Sequence, residues 1–340
     1  MGKSGHRKRA NLRDVATAAG VSVATVSRVL NSPHTVAEQT RERVDEAIRS
    51  LQWVPSAAAR AINSGRTRFV GALVPTLDHD IFARVLAGLE RQLACRRLSL
   101  VVATTDGDPQ IETSKAKGLI DIGAEGLIIS GKSHAADLYS LIERTRLPTV
   151  ATSCYDPDYA LPTIGYDNAR AACAALAHLA ELGHRRIAVL HGPKANNDRT
   201  RARIAGLTAQ RGECDLTFLE VPLSTAGGCE AVRHVLKSAR QATALLCLSD
   251  VLAAGAMFEL QRQGITMPER MSVMGIDDLP DSACLYPALT TIHLPVSRMG
   301  RHAADAIASW VETEEEPASL LLDFNLVVRG STTRPREPET

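Results

Sequence analysis

No apolar run in this 340-residue chain approaches the roughly 20 residues that a membrane-spanning helix needs. The basic start MGKSGHRKRANLRD is not followed by an apolar stretch, so neither a signal peptide nor an anchor is expected and the chain reads as cytoplasmic. Seven cysteines (Cys95, Cys154, Cys173, Cys214, Cys229, Cys247 and Cys284) are scattered without a CxxC pair, and an odd number cannot all pair within one chain. Reduced, mostly buried thiols are expected. A Ser/His/Asp motif, HExxH and GxGxxG are also missing, and the ten histidines are dispersed. No catalytic centre, metal site or cofactor is indicated. Net charge is nearly absent too, at +1, but it is the balance of two unlike parts. Residues 1–68 carry 12 Lys and Arg against 5 Asp and Glu, while the remainder carries 27 against 33. A basic head on an acidic body fits a polyanionic partner touched by the head alone.

What is present begins at residues 11–31, NLRDVATAAGVSVATVSRVLN. Asn11 can cap a helix, with Asp14 three positions on, and Leu12, Val15, Ala16 and Ala19 share one face. Gly20 ends that helix. Ser22 can cap a second, in which Val26, Val29 and Leu30 form the apolar face and Val23, Ala24, Thr25, Ser27 and Arg28 are left for a partner. Two short helices about a glycine turn, the second with small residues and one Arg, suit a DNA major groove; on pattern alone an ordinary helical hairpin is the alternative. A third helix is expected over about 37–52, with Val44, Ala47, Ile48 and Leu51 inward. Ahead of the first helix, Lys3, Arg7, Lys8 and Arg9 form a basic arm. The linker 54–68, VPSAAARAINSGRTR, offers Pro55 as a helix opener and Ser64-Gly65 as its end, leaving too few residues to hold a helix alone in water.

The string D-V-A-x-x-A-G-V-S-x-x-T-V-S-R-V-L-N over 14–31 resembles the DNA-binding head of the lactose and galactose repressor (LacI/GalR) family. The resemblance implies an operator-binding homodimer whose affinity is switched by a small molecule. It implies phosphate contacts from Thr25, Ser27, Asn31 and Thr40, base-edge contacts from Val23, Ala24 and Arg28, and further DNA contacts from Asn11, Ser22, Ser56 and Ala59. It also implies that the linker folds only when two copies pack on the operator, with Ile62 wedged into the central minor-groove step and Ala58 and Ala59 small enough for close pairing. The family usually opens the third helix with Ser where Ala37 stands here. A missing cap costs about 1 kcal/mol unless Thr35 takes over.

From residue 69 onward, short apolar runs alternate with amphipathic helices. Strands are expected over 69–74, 98–103, 126–130, 149–152, 187–190, 218–221, 244–248 and 272–276, and helices over 81–96 and 250–263 among others. Alternation of this kind means parallel sheets covered on both faces, and there are too many strands for one sheet. IGYDN (164–168), LGHRRIAVLHGP (182–193), GIDDLPDSACLYPALTTI (275–292) and VVRGST (327–332) extend the resemblance over nearly the whole chain. The body it implies is of the periplasmic-binding-protein type: two doubly wound lobes with a ligand between them and crossings near 162–165, 289–294 and 317–322. The expected organisation is an all-α head at 1–53, a hinge at 54–68, and an effector-binding and dimerisation domain at 69–334. Its first lobe spans about 69–162 and 293–318, its second about 163–290 and 321–334.

Residues 126–133, GLIISGKS, match the P-loop pattern formally, but the four residues between its glycines form the apolar strand itself, so no phosphate-cradling loop is expected. Ser130 and Lys132 nevertheless lie at a strand's C-terminal end, where doubly wound sheets bind ligands. By resemblance, Arg203 in RIAG hydrogen-bonds effector hydroxyls or a carboxylate, Asp277 takes hydroxyls from the other side, and Phe82 supplies an apolar face. Asp78, Ser130, Lys132, Ser153 and Ser249 complete the expected set. For Arg203 and Asp277 a structural ion pair or cap is the alternative. Ser249 replaces an Asn common in sugar-binding members and Ser153 an Asp of several, so the effector is placed only as a sugar or sugar acid. A solute carrier would share such a body but needs an export signal and has no use for a basic head. A sugar-processing enzyme would need a base or nucleophile in the cleft.

Overall fold

The computed structural model describes residues 10–54, 65–238 and 241–336. The chain folds as two compact units, Met1–Arg68 and Phe69–Thr340.

In the first unit, helices α1 (Leu12–Ala19), α2 (Val23–Asn31) and α3 (Glu38–Ser50) enclose a small apolar core, with a 3-10 turn at Pro33–Thr35. The Asn11 side chain accepts from the backbone N–H groups of Arg13 (2.8 Å) and Asp14 (3.2 Å) while Asp14 takes the Asn11 N–H (2.8 Å), a closed capping box. Gly20 ends α1 at φ +63°, and a Cβ there would meet Arg43 Nη2 at 3.0 Å. That guanidinium donates to the carbonyls of Ala19 (2.5 Å) and Gly20 (3.0 Å), bracing the turn from α3. Val15, Ala16, Ala19, Val26, Val29, Val44 and Ala47 are buried as their spacing predicts. Two expectations need correction. Leu51 is 36% exposed, and Trp53, at 9%, fills the place instead, because the backbone turns back as the Trp53 N–H bonds to the Ile48 carbonyl (3.0 Å). Thr35 does not replace the missing cap: its hydroxyl donates to the Ser32 carbonyl (2.7 Å), and Ala37 opens α3 with no side-chain bond.

The second unit holds two six-stranded sheets. The first comprises β1 (Phe69–Val74), β2 (Ser99–Thr104), β3 (Gly126–Ser130), β4 (Thr149–Thr152), β5 (Thr163–Gly165) and β11 (Leu320–Leu321), in the order β11-β5-β4-β3-β1-β2. The second comprises β6 (Arg186–His191), β7 (Asp215–Glu220), β8 (Ala244–Cys247), β9 (Ser272–Asp277), β10 (Thr290–His293) and β12 (Asn325–Val327), in the order β12-β10-β9-β8-β6-β7. Every pairing is parallel except β10 with β12. Helices α4 (Asp80–Cys95), α5 (Pro109–Asp121), α6 (Ala136–Thr145) and α11 (Val296–Thr313) accompany the first sheet. With the second run α7 (Asn168–Glu181), α8 (Asp198–Ala209), α9 (Thr225–Ser238) and α10 (Asp250–Arg262).

The chain changes lobe after β5, after β10 and after β11. Thr163–Gly165, expected in the second lobe, pairs with β4 of the first, and Leu320–Leu321 pairs with β5, so both changeovers fall a few residues later than expected. Each sheet has the strand order in which the chain reverses direction of winding beside its first strand, and such sheets bind ligands at the carboxyl ends flanking that point. Those ends, after β1 and β3 in one lobe and after β6 and β8 in the other, all contribute to one cleft. Among the described residues no helix is long and apolar enough to cross a membrane.

Candidate functional site

In the head, α2 presents its outer face intact. Ser22 caps it, accepting the Thr25 N–H at 3.1 Å and sharing a hydroxyl bond with Thr25 at 2.9 Å. Val26 and Val29 point inward, which leaves Val23 (40% exposed), Ala24 and Arg28 on one exposed surface, with Thr25, Ser27 and Thr40 half-buried beside it. The Asn11 side chain is taken up by the α1 cap. Ser56, Ala59 and Ile62, with Ala58, and the basic arm residues Lys3, Arg7, Lys8 and Arg9 lie outside the described residues, as does the side chain of Asn31.

In the body, five of the eight expected effector residues line one inner chamber of about 90 Å³: Phe82, Ser153, Arg203, Ser249 and Asp277. Arg203, on α8, is 7% exposed; its Nε donates to Asn168 Oδ1 (3.0 Å) and its Nη1 to the Leu248 carbonyl (2.6 Å), leaving Nη2 facing Asp277 Oδ1 at 3.9 Å. Asn168, at the start of α7, is itself fixed by donating to the Ser153 carbonyl (2.9 Å). Asp277 ends β9 at φ +131° and accepts the Ser249 hydroxyl at 2.9 Å. Burial pushes its carboxyl up to about 7; the Arg203 guanidinium pulls the other way, and buried Asp250 adds to the rise. Asp250 behind it accepts from Thr291 (2.6 Å), Ser282 (2.6 Å) and the Leu279 N–H (3.0 Å), a structural role. Ser153 likewise has a left-handed backbone, φ +67°, and side chains held in such costly conformations gather at ligand sites.

Three expected residues fall elsewhere. Ser130 lines a second, outer chamber of about 410 Å³, which shares Phe82, Asn197, Arg199 and Leu223 with the inner one. Lys132 turns away to Asp156 (2.5 Å) and the ring of Tyr159, on a different groove. Asp78 is exposed and absent from the lining of both chambers; its backbone N–H bonds to Thr76 Oγ1 (3.0 Å). Gly131 stands at φ +82° between β3 and Lys132 as a single turn, so the P-loop match is formal, as the sequence implies.

The two lobes are bridged by three arginines. Arg199 Nη1 donates to the Ser130 carbonyl (3.3 Å), Arg201 Nη2 to the Ser133 hydroxyl (2.6 Å), and Arg84 Nη1 to the Asp278 carbonyl (3.0 Å). A Cβ on Gly131 would collide with the Arg199 guanidinium and the Asp198 carboxylate, so glycine is what allows this close approach. Behind it, buried His134 sits between the Glu112 carboxylate (Nδ1, 2.6 Å) and the Gly131 carbonyl (Nε2, 2.9 Å). Two acceptors on two ring nitrogens call for the imidazolium form. Burial lowers its affinity for a proton, but the bond to Glu112, that carboxylate's charge and the Gly131 carbonyl outweigh this and raise the pKa.

Sequence reasoning missed Arg199 and Asn168. Arg199 and Arg203 are four apart and so share a face of α8, which was a readable signal. Asn168 lies inside IGYDN but gains its role only from the fold, through the distant Ser153 carbonyl.

A family model described as "Bacterial regulatory proteins, lacI family" matches residues 11–56, and one described as "Periplasmic binding proteins and sugar binding domain of LacI family" matches residues 67–329. The chain is 32% identical over 334 residues to the HTH-type transcriptional repressor PurR of Aliivibrio fischeri (strain ATCC 700601 / ES114), covering 95% of this chain and 98% of that one. Against the HTH-type transcriptional repressor CytR of Escherichia coli (strain K12) it is 29% identical, with 95% and 96% covered. A crystal structure of the lac repressor dimer bound to operator and the anti-inducer ONPF aligns at TM-score 0.87 and 26% identity, over 96% of this chain and all of that one.

Proposed function

The chain belongs to the LacI family of bacterial regulatory proteins and is a DNA-binding transcriptional repressor controlled by a small effector, and from that premise we propose which residues do the work. Two copies bind a near-palindromic operator, one head per half-site, as the symmetry of a dimer demands. Thr25, Ser27, Asn31 and Thr40 hold phosphates, with Asn11 and Ser22 beside them as helix caps, while Val23, Ala24 and Arg28 face base edges. Residues 54–68 are the tether, within which Ile62 is assigned to the minor groove and Ser56 and Ala59 to further DNA contacts.

The observation that carries the reading is the surface of α2: a capped helix whose apolar side is spent on the head's core and whose other side shows two small apolar residues and one Arg. Arg28 can pair bidentately with a guanine edge; Val23 and Ala24 are limited to contacts such as a thymine methyl. In the full chain, Arg28→Ala should cost about 1–3 kcal/mol on a duplex recovered by random-sequence selection and relax one base position. Equal loss on selected and random DNA would mean that Arg28 touches only phosphate.

The effector, a sugar or sugar acid, is held in the inner chamber by Arg203 and Asp277 with Phe82, Ser153 and Ser249 around it. It is bound and released unchanged, and the protein acts in the cytoplasm. The support for a binding rather than a catalytic site is that the relatives the chain matches along nearly their whole length are transcriptional repressors.

A further inference from the structure

We infer that the effector is an uncharged glycoside about two rings long, its inner ring beside Arg203 and Asp277 and its outer ring in the chamber between Ser130 and the 193–197 loop. This rests on the reading of the cleft as the effector site and narrows it. Size points to two rings. The inner chamber alone, about 90 Å³, lies well below the roughly 300–1,000 Å³ of ordinary ligand pockets. The outer chamber, about 410 Å³, opens directly from it across Phe82, Asn197, Arg199 and Leu223, and the two together fall within that range. A single sugar ring would leave most of the cleft to water.

Charge points to a neutral ligand. Asp106, Asp108 and Glu112 lie on the outer chamber. Glu112 is matched by His134, and Asp108 is turned to the backbone N–H groups of Gln110 and Ile111 at the start of α5. Among the described lining residues the full cation is Arg199, already bonded to Asp198 (3.1 Å) and to the Ser130 carbonyl. Burial lowers the pKa of His79 and disfavours its charged form, against a smaller opposing pull from Asp78. A phosphate or carboxylate on the outer ring would therefore meet carboxylates without a cation to spare, whereas hydroxyls find acceptors in those carboxylates and in neighbouring side chains. Ser130, a residue of this wall, has its Oγ buried and without a protein hydrogen-bond partner.

The test is titration calorimetry on the full chain with glucose and galactose, with the disaccharides cellobiose, maltose, lactose and trehalose, with the nucleosides adenosine and cytidine, and with glucose 6-phosphate and gluconate. At least one neutral two-ring glycoside should bind about tenfold or more tighter than any single ring or anion. The disaccharide and nucleoside arms tell which kind of outer ring is taken. Ala195→Trp, which replaces an exposed outer-chamber residue with a bulky one, should remove that advantage and leave single-ring binding as it was; Arg203→Ala should abolish both. A single ring or an anion binding tightest, no glycoside binding, or an Ala195→Trp protein that keeps the two-ring preference overturns the inference. Should binding survive Arg203→Ala, it is the assignment of the cleft that fails.

Discussion

The carboxyl of Asp277 is buried and held near neutrality, with its proton leaving at about 7. An effector hydroxyl that donates to it is held more strongly by the ionised form, so binding should strengthen as pH rises through about 7 and level off above. Calorimetry at pH 6 and pH 8 should show the tighter binding at pH 8, and Asp277→Asn should bind weakly with a flat profile. Wild-type affinity that falls with rising pH would mean that the carboxyl donates instead. At this scale the sequence was legible for which residues come together, as with Arg203 and Asp277, which line one chamber. It was not legible for Asp78 and Lys132, whose neighbours decide: Lys132 finds Asp156 closer than the cleft, and Asp78 stays with solvent.

Helices and loops carry the next set of expectations. Helix α3 starts at Ala37 with no side-chain cap, and Thr35 is occupied at Ser32. Ala37→Ser should stabilise the first turn by about 1 kcal/mol, read as slower hydrogen exchange of α3 amides; unchanged exchange would show that the turn is already satisfied. The 131–134 loop depends on the His134 imidazolium. Because folding raises this pKa, its stabilising contribution is complete below about 6.5 and is lost as pH rises through the folded value. The melting temperature of the wild type should therefore fall more steeply between pH 6.5 and 9 than that of His134→Gln; parallel curves would remove the imidazolium from the account. Periodicity found the long elements because each repeats its pattern over several turns or pleats. It passed over β5, β10, β11 and β12, which have three, four, two and three residues and little length for a pattern. Trp53 was missed for a related reason: the chain reverses after α3, so helical spacing led to Leu51.

For the whole molecule, the effector can change DNA affinity only by binding the lobe arrangements unequally, and the coupling equals that difference. Helix α8 is where both demands meet: Arg203 lines the chamber proposed for the effector, while Arg199 and Arg201 reach across to Ser130 and Ser133 of the other lobe. We propose that closing or loosening those bridges changes how the lobes sit, and through two tethers how two heads are spaced on DNA. The head's function was legible from the string over 14–31. The two-sheet body follows from alternating strands and helices, but where the chain changes lobe depends on pairings made by β5 and β11 that no local pattern announces. The most direct test is a fluorescence-anisotropy titration of a selected operator duplex, with and without a glycoside that binds the full chain, using wild type and Arg203→Ala. The account predicts that the glycoside changes the wild-type Kd about fivefold or more, while Arg203→Ala binds the duplex as wild type does and ignores the glycoside. An Arg203→Ala protein whose DNA affinity still responds as fully as wild type would contradict it.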